Sequence, residues 1–73
     1  MNNTAAKIFA GMMPAEAQQV IKNLGVAPMK NISVETIEYL REFKLIEDTT
    51  NHLSGNKITV LTNDGKQVRR HLQ

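Results

Sequence analysis

Three carboxylates, Glu35, Glu38 and Glu42, recur at helical spacing in the middle of the chain, and two arginines, Arg69 and Arg70, stand side by side near its carboxyl end. Steps of three and four residues put the glutamates on one side of any helix that carries them. A row of that kind suits a basic partner, whereas paired arginines suit phosphate. The other candidates for chemistry are sparser. His52 and His71 are far apart in sequence and lack a cysteine or carboxylate at ligand spacing, so they read as loop and tail histidines. Glu47 and Asp48 are adjacent acids that solubilise the end of a strand. Asn63-Asp64-Gly65 is turn chemistry and not a phosphate loop, because neither further glycines nor a Lys-Ser/Thr pair follows. No nucleophile, base and orienting acid are arranged for catalysis, so the expectation is a binding protein without enzyme activity or cofactor.

Something must position these groups, and the chain is short. Its 73 residues make a single domain, 1–73, with 41% hydrophobic and 22% charged residues, ordinary globular values. A domain this small buries only about 60% of the surface its unfolded chain exposes. There is no cysteine, and the aromatic residues are Phe9, Tyr39 and Phe43, so the core must be aliphatic and methionine-filled, with Met12, Met13 and Met29 filling gaps or, as the alternative, offering a methionine surface to a partner helix. No run approaches the roughly 18 apolar residues of a membrane span, and no signal peptide is visible. The expected location is cytoplasmic. The net charge is only +2, but its distribution is uneven. Residues 1–32 carry three lysines against one glutamate, residues 33–48 two cations against five carboxylates, and residues 49–73 four cations against one carboxylate.

The local patterns predict helices first. Asn3 or Thr4 can cap a helix running to Met12, with Ile8, Phe9 and Met12 on its apolar side and Gly11 ending or weakening it. Pro14 suits the first position of a second helix, in which Ala17, Val20, Ile21 and Leu24 follow the spacing of one buried stripe. Gly25 suits its left-handed close, and Gly25 to Lys30 forms a turn. Ser33 caps a third helix, with Ile32 and Ile37 as a hydrophobic staple. Val34, Ile37, Leu40 and Phe43 recur at threes and are its expected core face. An extended segment begins at Leu45-Ile46, Thr49 to Asn56 is a polar loop, and the alternating, β-branched run Lys57 to Thr62 is a strand. The last residues admit two readings. Thr62 caps a short helix with Val68 and Leu72 at i, i+4, or Asn63-Asp64-Gly65 turns a second hairpin whose strand is Gln67 to Leu72.

Taken together, Ile32 to Leu40, Leu45-Ile46-Glu47 and Val60-Leu61-Thr62-Asn63-Asp64-Gly65-Lys66 resemble the winged helix-turn-helix family of small bacterial and phage DNA-binding regulators. The likeness covers about residues 14–72. It implies a helix-rich α+β fold of three helices with a two- or three-stranded wing hairpin. In that family the second of the paired helices enters the major groove and the wing touches the neighbouring backbone. The resemblance therefore implies double-stranded DNA as partner. The amino end of helix 33–44 would supply Asn31, Ser33, Thr36 and Tyr39, and the wing would supply His52, Ser54, Asn56 and Lys57. Lys30, Arg69 and Arg70 would neutralise phosphates. One such module buries less than the roughly 1,000 Å² that specific sites use, so a homodimer or cooperative binding is implied.

The glutamates depart from that pattern. DNA carries one charge per ~1.7 Å, and affinity comes largely from Lys and Arg releasing counterions. One glutamate can accept from a cytosine amino group, but Glu35, Glu38 and Glu42 together on the inserted face oppose binding. The alternative is a protein-interaction module, such as a phage modulator of a host factor, whose acidic helix 33–44 binds a basic host protein.

Overall fold

The computed structural model describes residues 1–25 and 31–72. They form a small, helix-rich α+β fold with the order α1 (Asn3–Met12), α2 (Ala15–Asn23), α3 (Val34–Glu42), β1 (Ile46–Thr50), β2 (Lys57–Leu61) and α4 (Asn63–Arg70). The three helices and hairpin expected from sequence are thus joined by a fourth helix, and the hairpin has two strands. Lys30, Met29 and all but Gly25 of the turn expected over Gly25 to Lys30 lie outside the described residues.

The start of α1 falls one residue earlier than its expected caps, because Asn2 accepts the Ala5 N–H at 2.7 Å through its own side chain. Its buried face also differs from expectation. Ala6, Ala10 and the following Met13 are buried and Phe9 is half-buried, whereas Ile8 is 58% exposed and Met12 75% exposed. Two alanines a turn apart let α1 approach α4 closely, and the larger side chains are left on the outer surface. Gln18 ties α1 to α2, its Nε2 donating to the carbonyls of Ala10 at 3.2 Å and Met13 at 3.0 Å. Those carbonyls belong to a helix end that has no intrahelical donors for them. Pro14 stands at the N-cap of α2 and not at its first helical residue, and Ala17, Val20 and Ile21 are buried as expected. Gly25 closes the helix with φ +81°.

The α3 core face is narrower than its sequence pattern. Leu40 is fully buried and Ile37 half-buried, but Val34 is 68% and Phe43 44% exposed. Steps of three residues lag a 3.6-residue turn, so four residues separated by three such steps spread across half the helix circumference and only the middle two face inward. Tyr39, expected on the polar side, is half-buried against Phe9 and Phe43 (centroids 6.1 and 4.9 Å). A Schellman motif ends α3. Leu45 N–H reaches the Leu40 carbonyl at 2.9 Å and Lys44 N–H the Arg41 carbonyl at 3.0 Å, with Lys44 at φ +57°.

The antiparallel hairpin pairs Ile46 with Leu61, Asp48 with Thr59 and Thr50 with Lys57. Strand β1 therefore runs through Thr50, into the segment expected to be loop. The remaining loop closes on itself: Asn51 N–H donates to the Asn56 carbonyl at 2.8 Å, and Gly55, at φ +75°, donates to the Asn51 carbonyl at 2.7 Å. Of the two readings for the chain end, the helix is the one formed. The Thr62 hydroxyl oxygen accepts the Gly65 N–H at 3.0 Å and its proton goes to the Lys44 carbonyl at 2.6 Å, capping α4 and fastening it to the end of α3. Ile21, Leu40, Leu45, Val20 and Val68 are the largest fully buried side chains, so the core is aliphatic where α2, α3 and α4 meet.

Candidate functional site

The amino end of α3 is occupied from within the molecule. Glu16, in the first turn of α2, accepts the Ser33 hydroxyl at 2.6 Å and the Ser33 backbone N–H at 2.9 Å, both on Oε1. Thr36 Oγ1 lies 2.9 Å from Ser33 Oγ, and Ser33 Oγ also accepts the Thr36 N–H at 3.3 Å. Serine has one hydroxyl proton. The carboxylate takes it, so Thr36 is the donor in the hydroxyl pair. The Ser33 hydroxyl, with Thr36 beside it and the Ser33 backbone N–H, holds the Glu16 carboxyl below its ordinary value. The carboxylate thus stands at the positive end of the α3 dipole, where an incoming anion would otherwise go.

Ser33 and Thr36 are therefore engaged with α2, and Tyr39 with the aromatic trio. Asn31 is exposed at φ +61°, ahead of the helix. Glu35, Glu38 and Glu42 are all exposed, and among the described residues none of them has a hydrogen bond or ion pair. The nearest cation on the same helix is not free to neutralise them. Arg41 forks onto Asp48, with Nη1 to Oδ2 at 2.9 Å and Nη2 to Oδ1 at 3.1 Å, while Thr59 donates to Asp48 Oδ1 at 3.0 Å. The Arg41 and Thr59 donors hold the Asp48 carboxyl low, and Asp48 raises the Arg41 guanidinium. This bidentate pair links α3 to the hairpin and turns Arg41 toward Asp48, away from the glutamate row.

The basic groups lie elsewhere. Asn56 and Lys57 are exposed at the hairpin tip, with His52 and Ser54 in the loop, and Ser54 Oγ accepts the Asn56 N–H at 3.3 Å. Arg70 is exposed and Arg69 half-buried near the end of α4. Arg69, Lys66 and Lys44 line an open cleft of about 840 Å³ between α4, β2 and the end of α2, together with Glu47 and Asp64. None of Asn31, Ser33 or Thr36 lines it. Arg69, expected to bind phosphate, thus lines a cleft that none of these expected base-reading positions shares.

On a second surface Met12 stays outside the core, as the alternative reading of the methionines allowed, and Ile8 joins it. Ala5, Ile8 and Met12 lie on one side of α1 by steps of three and four, all exposed. Beside them Phe9 meets Phe43 of α3 edge-on at 4.9 Å between ring centroids. The signal for this surface is present in the sequence as the i, i+4 pair Ile8 and Met12, but the same signal specifies a core. Glu16 had no comparable local signal, since its partner is 17 residues away.

Among the described residues no cluster of three or more histidine or acidic side chains could hold a metal ion, and no helix is long and apolar enough to cross a membrane. Compared with protein-family models, curated proteins and solved structures, the chain matches none.

Proposed function

We propose that this chain is a winged-helix domain used as a protein-interaction module, in which the exposed face of α3 binds a basic surface on a partner protein. The order of α2, α3, a two-stranded antiparallel hairpin and a helix behind it supports the winged-helix reading. The observation that carries the functional reading is the row Glu35, Glu38 and Glu42, exposed and, among the described residues, in no ion pair, on the helix that would have to enter a DNA groove. Three carboxylates placed against a phosphate backbone repel it, and the same three facing lysines and arginines steer association and fix register.

A second reading, contact with duplex DNA, is favoured by one observation. Lys44, Lys66 and Arg69 share a cleft, and Arg70 stands exposed on the same helix. In that arrangement DNA would meet α4 and the Lys57 end of the hairpin, with α3 turned away. The two readings separate on charge reversal. The immobilised chain should retain a discrete basic polypeptide from extracts of the cell that encodes it, and Glu38→Lys with Glu42→Lys should abolish that retention. Recovery of nucleic acid alone, unaffected or increased by the reversal, would overturn the proposal in favour of the second reading.

A further inference from the structure

One exposed side of α1, carrying Ala5, Ile8 and Met12, is apolar where a surface helix of a monomeric domain is ordinarily polar. Ile8 is 58% and Met12 75% exposed, and Phe43, across from them at the end of α3, is 44% exposed. The rings of Phe9, Tyr39 and Phe43 touch one another between the two helices, with centroids 4.9–6.1 Å apart. They make an aromatic floor, and Ile8 and Met12 make its α1 wall. On α3 the surface neighbours of Tyr39 are Glu35, four residues before it, and Glu42, three after it. Both are exposed, and Glu38 continues the row one step outward. The α1–α3 face is therefore an apolar surface with one aliphatic edge and one acidic edge, on which an incoming helix would find its groove between α1 and α3.

We infer that this groove seats an amphipathic helix of the partner protein, with its apolar stripe on Ile8, Met12 and Phe43 and its lysines or arginines along Glu35, Glu38 and Glu42. The inference rests on the reading of α3 as a protein-binding face and adds the form of the ligand. Charge complementarity selects this occupant. A second copy docked face to face would bring its own α1–α3 surface, and with it three more carboxylates, onto the first. A basic helix instead meets the acidic edge with opposite charge, and its apolar residues at i, i+3, i+4 and i+7 match a groove two helices wide. Methionine suits such a seat, because its unbranched, polarizable side chain adapts to the incoming surface.

The test uses the full chain and a labelled peptide of about 18 residues, long enough to form a helix on the groove, with leucines at i, i+3, i+4 and i+7 and lysines on the flanking positions. Anisotropy titration should give saturable binding. Ile8→Ser with Met12→Ser should weaken it about tenfold or more, as should Glu38→Lys with Glu42→Lys. These side chains are exposed, so both variants should keep the wild-type circular dichroism. A control peptide with glutamate at every lysine position should not bind. Binding that falls on charge reversal but ignores Ile8→Ser with Met12→Ser would overturn the groove while leaving the acidic face of α3 as the contact. No saturable binding of the basic peptide would overturn the inference. So would concentration-dependent self-association of the chain that Ile8→Ser with Met12→Ser abolishes, since it would make a second copy the occupant.

Discussion

Gly65 provides a sharp test of the packing that places α4. It lies in the first turn of α4, where alanine would ordinarily favour the helix by up to about 1 kcal/mol. A Cβ built on Gly65 would fall 2.1 Å from the Leu45 carbonyl oxygen, about 1.3 Å short of the 3.4 Å at which ordinary contact begins. Neither side can yield cheaply. The obstacle is backbone, and the same oxygen accepts the Thr62 N–H at 3.0 Å. Moving α4 outward would also stretch the 2.6 Å bond from the Thr62 hydroxyl to the Lys44 carbonyl. Overpacking of this kind costs about 3 kcal/mol, and a weakened hydrogen bond adds about 1 kcal/mol. Set against the helical gain, Gly65→Ala should destabilise the fold by about 3 kcal/mol. That is a large share of the roughly 4–11 kcal/mol available to a chain of this length. Thermal unfolding followed by circular dichroism should show Tm lowered by roughly 12–24 °C. Gly11→Ala is the matched comparison: nothing lies within 4 Å of its Cβ, so it should raise stability by about 0.5–1 kcal/mol. A Gly65→Ala protein as stable as wild type would refute the close approach of α4 to Leu45.

Three further outcomes follow from named contacts. Lys44 adopts a left-handed conformation that costs a non-glycine residue roughly 1–2 kcal/mol, so Lys44→Gly should stabilise by about 0.5–1 kcal/mol after the extra chain entropy of glycine, read from urea midpoints. Glu16 and Asp48 both titrate lower in the fold than in the unfolded chain, where their values are about 4.3 and 3.9. The stability they contribute is complete above about pH 5 and is lost as pH falls through those values toward the folded ones. Glu16→Gln with Asp48→Asn should flatten that acid limb in unfolding measured from pH 6 to 2.5, and an unchanged limb would remove these contacts from the account. Glu38→Lys with Glu42→Lys, each reversal adding two charges, takes the net charge from +2 to +6 and should increase low-salt retention of duplex DNA in mobility shifts. Weaker retention would mean that the carboxylates contact bases.

Much of the local chemistry was legible in the sequence, though the α1 cap lies at Asn2 and Pro14 caps α2 one position before its expected place. Ser33 and Thr62 are caps, Gly25 turns left-handed, and Lys57 to Leu61 is a strand. Gly65 shows the limit of such reading. Its place in Asn-Asp-Gly suggests a turn, but in the fold it is helical and exists to let α4 approach Leu45. Ile8 and Met12 show another limit. Hydrophobic spacing reveals that a helix has an apolar side, but Ala6 and Ala10 fit the interior more closely and take the core. The engagement of Ser33 by Glu16 and of Arg41 by Asp48 is tertiary, joining residues 17 and 7 positions apart, and no local pattern announces it. The glutamate row itself was visible from the outset. What the sequence lacked was the knowledge that Arg41 is turned away from it and that an apolar face adjoins it.

The central claim is that the acidic face of α3 meets a protein. A photo-crosslinking residue at position 38, compared with one at position 70 on α4, tests it most directly in extracts of the cell that encodes the chain. Position 38 should yield a discrete polypeptide adduct that is lost with Glu35→Lys and Glu42→Lys, and position 70 should yield none. Nucleic acid crosslinked from position 38 would contradict it.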